Sequence, residues 1–399
     1  MGYEVKDGKG IIPDDIDVIS DRLLSCTRLE PIELSEGITV IAGEAFSGCT
    51  SLQSIVIPGS VTTIGREAFF NCKNLKSIEI PNSVTTIEES AFSRCTSLQS
   101  IVIPDSITEI AFEAFEGCTS LQSIEIPNSV TKIRESAFDN CTSLQSIIIP
   151  DSVTSLDGSA FAGCNNLTSI IVSKNNSEYK STNNCILSSD GKKLILCRNH
   201  NIPDSVTTIG WSAFSGCTSL QSIVIPDSVT TIGNMAFSDC TRLQSIEIPN
   251  SVTTIGNEAF LLCTSLQSIV IPDSVTTIGK SAFNGCTSLQ SIVIPDSVTT
   301  IGESAFSGCT SLQSIVIPDS VAVIGGGTFY NCTSLQSITI ATKEKDPDSF
   351  RKRTEYLLII LPIVAKDISL RVPIGCGYAY RHYPAFEGKF KTIIADIDV

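Results

Sequence analysis

The chain has 399 residues and a formal net charge of −15, from 42 acidic and 27 basic residues. An acidic surface repels phosphate backbones and anionic lipid headgroups, which argues against nucleic acid as a partner. The longest apolar stretch, residues 356–364, contains Pro362 and has less than half the length that a membrane span needs.

The first ten residues are polar and contain no apolar stretch of the kind that directs secretion, so the sequence by itself leaves a cytoplasmic location open. Residues 12–34 keep the register of a 23-residue repeat that the cysteines mark, but Leu23 and Leu24 stand where its Ala-Phe pair belongs. An array of stacked repeats needs a cap at each end, because its end rungs expose apolar faces and sheet edges. We therefore predict a divergent N-terminal capping repeat over residues 1–34.

Cysteine recurs with a fixed period of 23 residues. A constant period in this range predicts a tandem repeat, in which each unit is too small to bury its apolar face alone and stacks on its neighbours. The length of the chain therefore reflects the number of rungs in one repeat solenoid and not a number of globular domains. The cysteines in register are Cys26, Cys49, Cys72, Cys95, Cys118, Cys141, Cys164, Cys217, Cys240, Cys263, Cys286, Cys309 and Cys332.

Residues 35–172 and 203–340 are predicted to form the two halves of the array. The unit that begins at Ile294 contains Leu312-x-x-Ile315-x-Ile317, the strand pattern of a leucine-rich repeat. Alternation sends Ile315 and Ile317 inward, and identical strands of successive units then pair in parallel in one long sheet. The predicted fold class is a horseshoe-like leucine-rich-repeat solenoid with a 23-residue period.

The structure of the rest of each unit is predicted from the rung that begins at Ile294. Pro318 ends the strand because it lacks an N–H group. Residues 298–301 form a second short strand, and residues 304–308 form a single helical turn that ends at glycine. Five apolar side chains fill the middle of the rung, those of Val298, Ile301, Phe306, Cys309 and Leu312. We expect the cysteines in register to be free buried thiols, because the side chains of stacked equivalent residues run parallel to one another.

The register is interrupted once, between Cys164 and Cys217, where 30 residues are inserted. The insert, residues 173–202, has an Asp190-Gly191 turn between two apolar runs, which predicts a β-hairpin that bulges from the array. Residues 341–399 follow the last repeat and are predicted to form a C-terminal cap, with a charged helix from Asp346 to about Tyr356 followed by strands.

The unit Ile-Pro-x-Ser-Val-Thr-x-Ile-Gly-x-x-Ala-Phe-x-x-Cys-x-x-Leu-x-x-Ile resembles the leucine-rich repeat of the BspA-like family, found in bacterial surface proteins and some parasitic protists. The hairpin end at 190–195 and the tail at 370–380, with Phe386 and Phe390, are similar to segments of such bacterial proteins. The resemblance covers nearly the whole chain. It implies a secreted or cell-surface protein that binds other proteins, commonly host matrix or plasma proteins, and mediates adhesion.

The outward position of the main strand is apolar in most units, and an exposed apolar column is typical of a protein-binding surface. The alternative is that β-branched residues suit strands and were copied with the repeat. Trp211 and Tyr380 are added as candidate interface residues, although each could instead fill a disturbed rung or anchor the cap. The candidate residues of the column are Val56, Val102, Ile148, Val224, Val270, Val293 and Val316.

No motif indicates an enzyme, a metal site or a cofactor. The serines beside the apolar column have no histidine in register, and neither His200 nor His382 stands in a triad context. Residues 279–281 mimic the end of a phosphate loop, but Ser274 replaces its required upstream glycine. The cysteines offer no C-x-x-C pair for zinc. The sequence predicts a non-enzymatic protein-binding protein, and the alternative is an intracellular scaffold or assembly protein.

Overall fold

The computed structural model describes residues 4–6, 9–11, 16–19, 32–199, 201–341, 369–373 and 392–397. The chain divides into two compact units, Met1–Asn199 and His200–Val399. Each unit is a stack of 23-residue rungs, which confirms the predicted repeat solenoid. Each rung of the described repeats has three sides. The first side carries the Ser-Ile-x strand, the second side carries the Thr-Ile strand, and the third side runs from there to the cysteine.

The first side is a ladder of parallel strands in which equivalent residues of successive rungs pair directly, as Ser268 pairs with Ser291. Isolated bridges such as that between Val102 and Glu125 continue the ladder. The strands of the first unit are Ile32–Glu33, Ser54–Val56, Ser77–Glu79, Ser100–Ile101, Ser146–Ile149 and Ser169–Val172. Those of the second unit are Ser222–Val224, Ser245–Glu247, Ser268–Val270, Ser291–Val293, Ser314–Ile317 and Ser337–Ile340.

Strands extend this ladder at both termini. Glu4–Lys6 pairs antiparallel with Lys9–Ile11, which pairs in parallel with Ile32–Glu33. Ser369–Pro373 and Thr392–Ile397 add two parallel strands beyond Ser337–Ile340. These strands lie within the predicted capping segments, whose boundaries stay predictions. The helix predicted from Asp346 lies outside the described residues.

The second side is a ladder of two-residue strands. In Thr300–Ile301 the isoleucine is fully buried and the threonine faces outward. The preceding threonine ties the rungs together, since the hydroxyl of Thr299 donates to the carbonyl of Thr276 at 3.3 Å. The strands are Val18–Ile19, Val40–Ile41, Thr63–Ile64, Thr86–Ile87, Glu109–Ile110, Lys132–Ile133 and Ser155–Leu156 in the first unit, and Thr208–Ile209, Thr231–Ile232, Thr254–Ile255, Thr277–Ile278, Thr300–Ile301 and Val323–Ile324 in the second.

The third side differs from the predicted helical turn. Within the described residues a 3₁₀ helix occurs in one rung, at Gly158–Phe161, where the Asp157 side chain accepts from the N–H of Ser159 at 2.9 Å. In the other rungs between residues 35 and 340 the residue equivalent to Ser159 has a positive φ, as in Ser304 at 54°. This conformation cannot continue a helix, and it turns alternate N–H groups to the next rung. Phe306 N–H, for example, donates to the carbonyl of Thr328 at 3.0 Å.

The core is repeated from rung to rung. Val298, Ile301, Phe306, Cys309 and Leu312 are all fully buried, as the sequence predicted. The phenylalanine rings stack in one column per unit, with centroids 5.1–5.6 Å apart in the first unit and 5.0–5.9 Å in the second. Burying one such ring contributes about 1.5–3 kcal/mol, so the stability of each unit rests on stacking between rungs.

Twelve of the thirteen cysteines in register are free and buried, and Cys26 lies outside the described residues. Each thiol after the first rung of a unit has a backbone partner in the preceding rung, as Cys309 Sγ donates to the Phe283 carbonyl at 3.2 Å. Burial raises the pKa of Cys118 and of Cys332 to about 12. These thiols therefore serve packing, as predicted.

The insert contains three antiparallel strands, Tyr179–Thr182, Cys185–Ser188 and Lys193–Cys197. The hairpin predicted around Asp190 and Gly191 is confirmed. A further strand precedes it, because Asn183 and Asn184 both adopt positive φ and make a tight turn. Cys185 lies opposite Cys197 in the register and forms a disulfide with it. This pair was not predicted from the sequence, although both cysteines stand outside the 23-residue register.

The insert closes the end of the first unit instead of bulging from it. The last first-side strand, Ser169–Val172, has no further rung of that unit beyond it to accept its outward N–H groups. Side chains of the insert replace that rung. Asn184 Oδ1 accepts from Ile170 N–H at 2.8 Å, and Ser181 Oγ accepts from Val172 N–H at 2.9 Å. The predicted bulge is therefore wrong, and the insert is a cap that satisfies an exposed strand edge.

Candidate protein-binding surface

The first side presents its predicted apolar column to solvent. In Ser268–Val270 the residues alternate exposed, buried and exposed, because successive side chains of a strand point to opposite faces. The seven predicted residues of the column, Val56, Val102, Ile148, Val224, Val270, Val293 and Val316, are between 51 and 80 % exposed. Their exposure agrees with the prediction, and their role in binding stays a prediction.

The column is continuous only in part. In the second unit Glu247 pairs with Val224 on one side and with Val270 on the other. Val270 in turn pairs with Val293. In the first unit the carboxylate residues Glu79 and Glu125 interrupt it at closer intervals. The longest apolar run on successive described rungs is therefore Val270, Val293 and Val316. Val293 lies on the last strand of one sheet, Val316 lies on the first strand of the next sheet, and the run ends where Val316 pairs with Thr339.

A shallow depression of ≈ 820 Å³ lies on this side of the second unit. Val224 and Val270 line it together with Glu247 and Asp227. Apolar side chains beside exposed carboxylates suit a partner that offers both apolar and positively charged groups. The arrangement supports non-covalent binding.

The other two candidate residues do not join the column. Trp211 follows the second-side strand Thr208–Ile209 and belongs to the third side of its rung, where it is 45 % exposed. Its indole Nε1–H points to Met235 Sδ of the next rung at 3.4 Å. Tyr380 lies outside the described residues.

Three further exposed apolar residues were not predicted from the sequence. Leu262, Val323 and Tyr330 are exposed, and each lies off the first side. Val323 occupies a position that is threonine in the preceding rungs of its unit, and Leu262 occupies one that is otherwise glycine, Asp or Asn there. Departure from the internal consensus would have identified them.

The first unit has a charged edge along its second side. Arg134 forms a two-pronged ion pair with Glu109, at 2.6 Å from Nε to Oε1 and 3.1 Å from Nη2 to Oε2, and this carboxylate raises the pKa of Arg134. Partial burial, followed by the charges of Asp157 and Glu113, raises the pKa of Glu135. The two adjoining depressions measure ≈ 490 and ≈ 550 Å³.

The described residues hold no group of three or more His, Cys, Asp or Glu side chains that could bind a metal ion. Within the same part of the chain, no helix has the length and apolar character needed to cross a membrane. Most of the outward serines, such as Ser268, are exposed, while His200 and His382 lie outside what the structure describes.

Comparisons with known proteins agree with this architecture. A family model described as a BspA type leucine rich repeat region matches residues 9–99, 90–189, 192–309 and 255–355. A leucine-rich cell surface protein from Faecalibacterium prausnitzii is 31% identical, with 89% of this chain and 94% of that chain covered and a TM-score of 0.65. A search of curated proteins found no match.

Two more distant structures share the fold alone. A leucine-rich repeat protein from Eubacterium ventriosum is 24% identical, with 84% of this chain and 89% of that chain covered and a TM-score of 0.59. The pneumococcal vaccine antigen PcpA is 21% identical, with 87% and 80% covered and a TM-score of 0.51.

The resemblance noted in the repeat sequence is thereby confirmed. Leucine-rich repeats are a protein-interaction fold and generally serve as non-enzymatic binding scaffolds, and the matches indicate no enzyme family. The family model covers well over half of the residues, in both units of the structure. The chain belongs to the BspA-type leucine-rich-repeat family of bacterial surface proteins.

Proposed function

We propose that this protein is a cell-surface adhesion protein that binds host or matrix proteins through the first side of its second unit. The observation that carries the proposal is the run Val270, Val293 and Val316, which is 51–74 % exposed on three successive rungs of the first side. The likeness to a cell surface protein supports the location. Exposed apolar runs of this kind mark protein-binding surfaces.

The ladder also lowers the cost of binding. The outward valines stand on strands whose isoleucines are buried, and the rungs are tied to one another by backbone hydrogen bonds. The partner therefore meets a surface that is already in its bound conformation, and little conformational entropy is lost on binding.

The size of the effect follows from the apolar area. Full burial of an exposed valine contributes about 1.5 kcal/mol or more. At about 1 kcal/mol each after incomplete coverage, the three valines together contribute about 3 kcal/mol, or roughly a hundredfold in affinity.

The test is surface-plasmon binding of the full chain to a panel of extracellular-matrix and plasma proteins. The variant carries Val270→Thr, Val293→Thr and Val316→Thr, because threonine keeps the β-branched shape and already occupies this column at Thr339. Val323→Thr is the control, since Val323 is exposed on the second side, where Thr300 pairs with it.

We expect saturable binding to at least one panel protein, about a hundredfold weaker in the triple variant and unchanged in the control. Saturable binding that the triple variant retains would contradict the role of this face. Failure of the chain to bind any panel protein would favour the intracellular scaffold, whose partners would be sought among cytoplasmic proteins.

A further inference from the structure

The first side of the second unit carries one carboxylate in each of five successive rungs. The carboxylate occupies one of two positions, either the outward position of the strand or the turn after the proline. Where the strand has valine, the turn has Asp, and where the strand has Glu247, the turn has Asn250. The same exchange occurs in the first unit, at Glu79 with Asn82 and at Val102 with Asp105. The five carboxylates are Asp227, Glu247, Asp273, Asp296 and Asp319.

Four of these carboxylates face solvent, and basic residues are scarce on the same side. Asp227, Glu247, Asp273 and Asp296 are exposed, and no ion pair among the described residues involves any of these four. Arg242 is the only basic residue on the first side between residues 218 and 320. The five rungs therefore form a row of negative charge along the column of valines.

The row of carboxylates lowers the stability of the isolated protein. Like charges on neighbouring rungs repel one another, by a few tenths of a kcal/mol per exposed pair. The hydrogen bonds and the apolar core of the rungs require no carboxylate at either position, since Asn250 and Val270 occupy them equally well. A partner with positive charge would convert this repulsion into attraction.

We propose that this surface receives a cationic segment of the partner, with lysine or arginine side chains opposite the carboxylates and apolar groups against the valines. The inference rests on the proposed function, because it uses the same face, and it adds the chemical class of the partner. The depression lined by Asp227, Glu247, Val224 and Val270 is where the two kinds of contact meet. The net charge of −15 disfavours an acidic partner in the same place.

The experiment measures binding of a fluorescent oligolysine peptide to the full chain by anisotropy, at low and at high salt. Oligoglutamate and a neutral Gly-Ser peptide serve as comparisons. The test variant neutralises the row with Asp227→Asn, Glu247→Gln, Asp273→Asn and Asp296→Asn. The control variant removes the same number of charges from the third side, with Glu44→Gln, Glu67→Gln, Glu89→Gln and Glu258→Gln.

We expect oligolysine to bind, with about tenfold lower affinity for the test variant and less than about a twofold change for the control. Equal weakening of the two variants would show attraction to the net charge alone and overturn the proposal. No binding of oligolysine, or equal binding of oligoglutamate, would also overturn it. The Val→Thr comparison on the protein panel leaves every charge in place, so its outcome judges the proposed function separately.

Discussion

Replacing Gly279 by alanine tests whether close approach of the rungs governs the second side of the second unit. A Cβ atom at this position would lie 2.5 Å from both the carbonyl carbon and the oxygen of Gly256, and 2.7 Å from the backbone nitrogen of Asn257. These neighbours are backbone atoms and cannot rotate away. The two rungs would have to separate locally by about 1 Å to reach an ordinary contact distance of about 3.5 Å.

The magnitude follows from two opposing effects. Forcing a methyl group into a packed interface costs about 1–3 kcal/mol. Alanine also restricts the unfolded chain, which returns roughly 0.4–1 kcal/mol. We therefore expect Gly279→Ala to lower the free energy of unfolding by about 1–2 kcal/mol. Gly326→Ala is the control, because a Cβ there meets no atom within 4 Å and its φ is not positive, so it should be neutral or slightly stabilising.

Urea unfolding followed by tryptophan emission suits this test. Trp211 is the single tryptophan of the chain and lies in the second unit, so its emission reports on the unit that contains both substitutions. A Gly279→Ala protein as stable as the parent would refute the argument. It would mean that the rungs of the second unit adjust their spacing, as those of the first unit do where Ala111 and Arg134 occupy the equivalent position.

Three further predictions concern the thiols, a strained residue and the cap. Because the pKa of Cys118 is raised from 9.0 to about 12, its thiol loses its proton in the unfolded chain at a lower pH than in the folded chain. The free energy of unfolding should therefore fall between about pH 9 and 12, by about 1.4 kcal/mol per pH unit for each such thiol. A melting temperature that stays unchanged over that range would contradict this. Leu262→Gly should stabilise by about 1 kcal/mol in urea unfolding, because Leu262 has a φ of 56°, and a loss of stability would count against strain there. Asn184→Gly keeps a positive φ available but removes the acceptor of Ile170 N–H, so it should cost about 1–3 kcal/mol and speed amide exchange at Ile170, whereas unchanged exchange would argue against the cap.

The period of the sequence predicted the fold and its core because every rung repeats the same constraint. Phe306, Cys309 and Leu312 recur with identical spacing, so their burial in one rung implies their burial in all. The outward valines followed from strand alternation by the same reasoning. These features depend only on the local residue pattern and on the stacking of identical rungs, and both can be inferred from a single sequence.

The features that escaped prediction depend on backbone conformation or on non-repeated contacts. The residue type at Ser304 does not reveal its positive φ. This conformation prevents the predicted helical turn, and backbone N–H groups donate to the next rung instead. The cap formed by Ser181 and Asn184 depends on the positions of N–H groups in a distant strand. The pairing of Cys185 with Cys197 required the strand register, which a β-bulge between Ile186 and Leu187 shifts.

The near identity of the rungs creates a register problem for any partner of the first side, and the exceptions in the column address it. A partner seated on Val270, Val293 and Val316 meets almost the same surface one rung away. Movement by one rung toward the N-terminus would press an apolar group against Glu247, and movement the other way would reach Thr339. A carboxylate covered by an apolar group loses its hydration without gaining a partner, which is costly. Specificity on a repetitive surface therefore comes from the residues that break the repeat, here one charge and one hydroxyl at the two ends of the valine run.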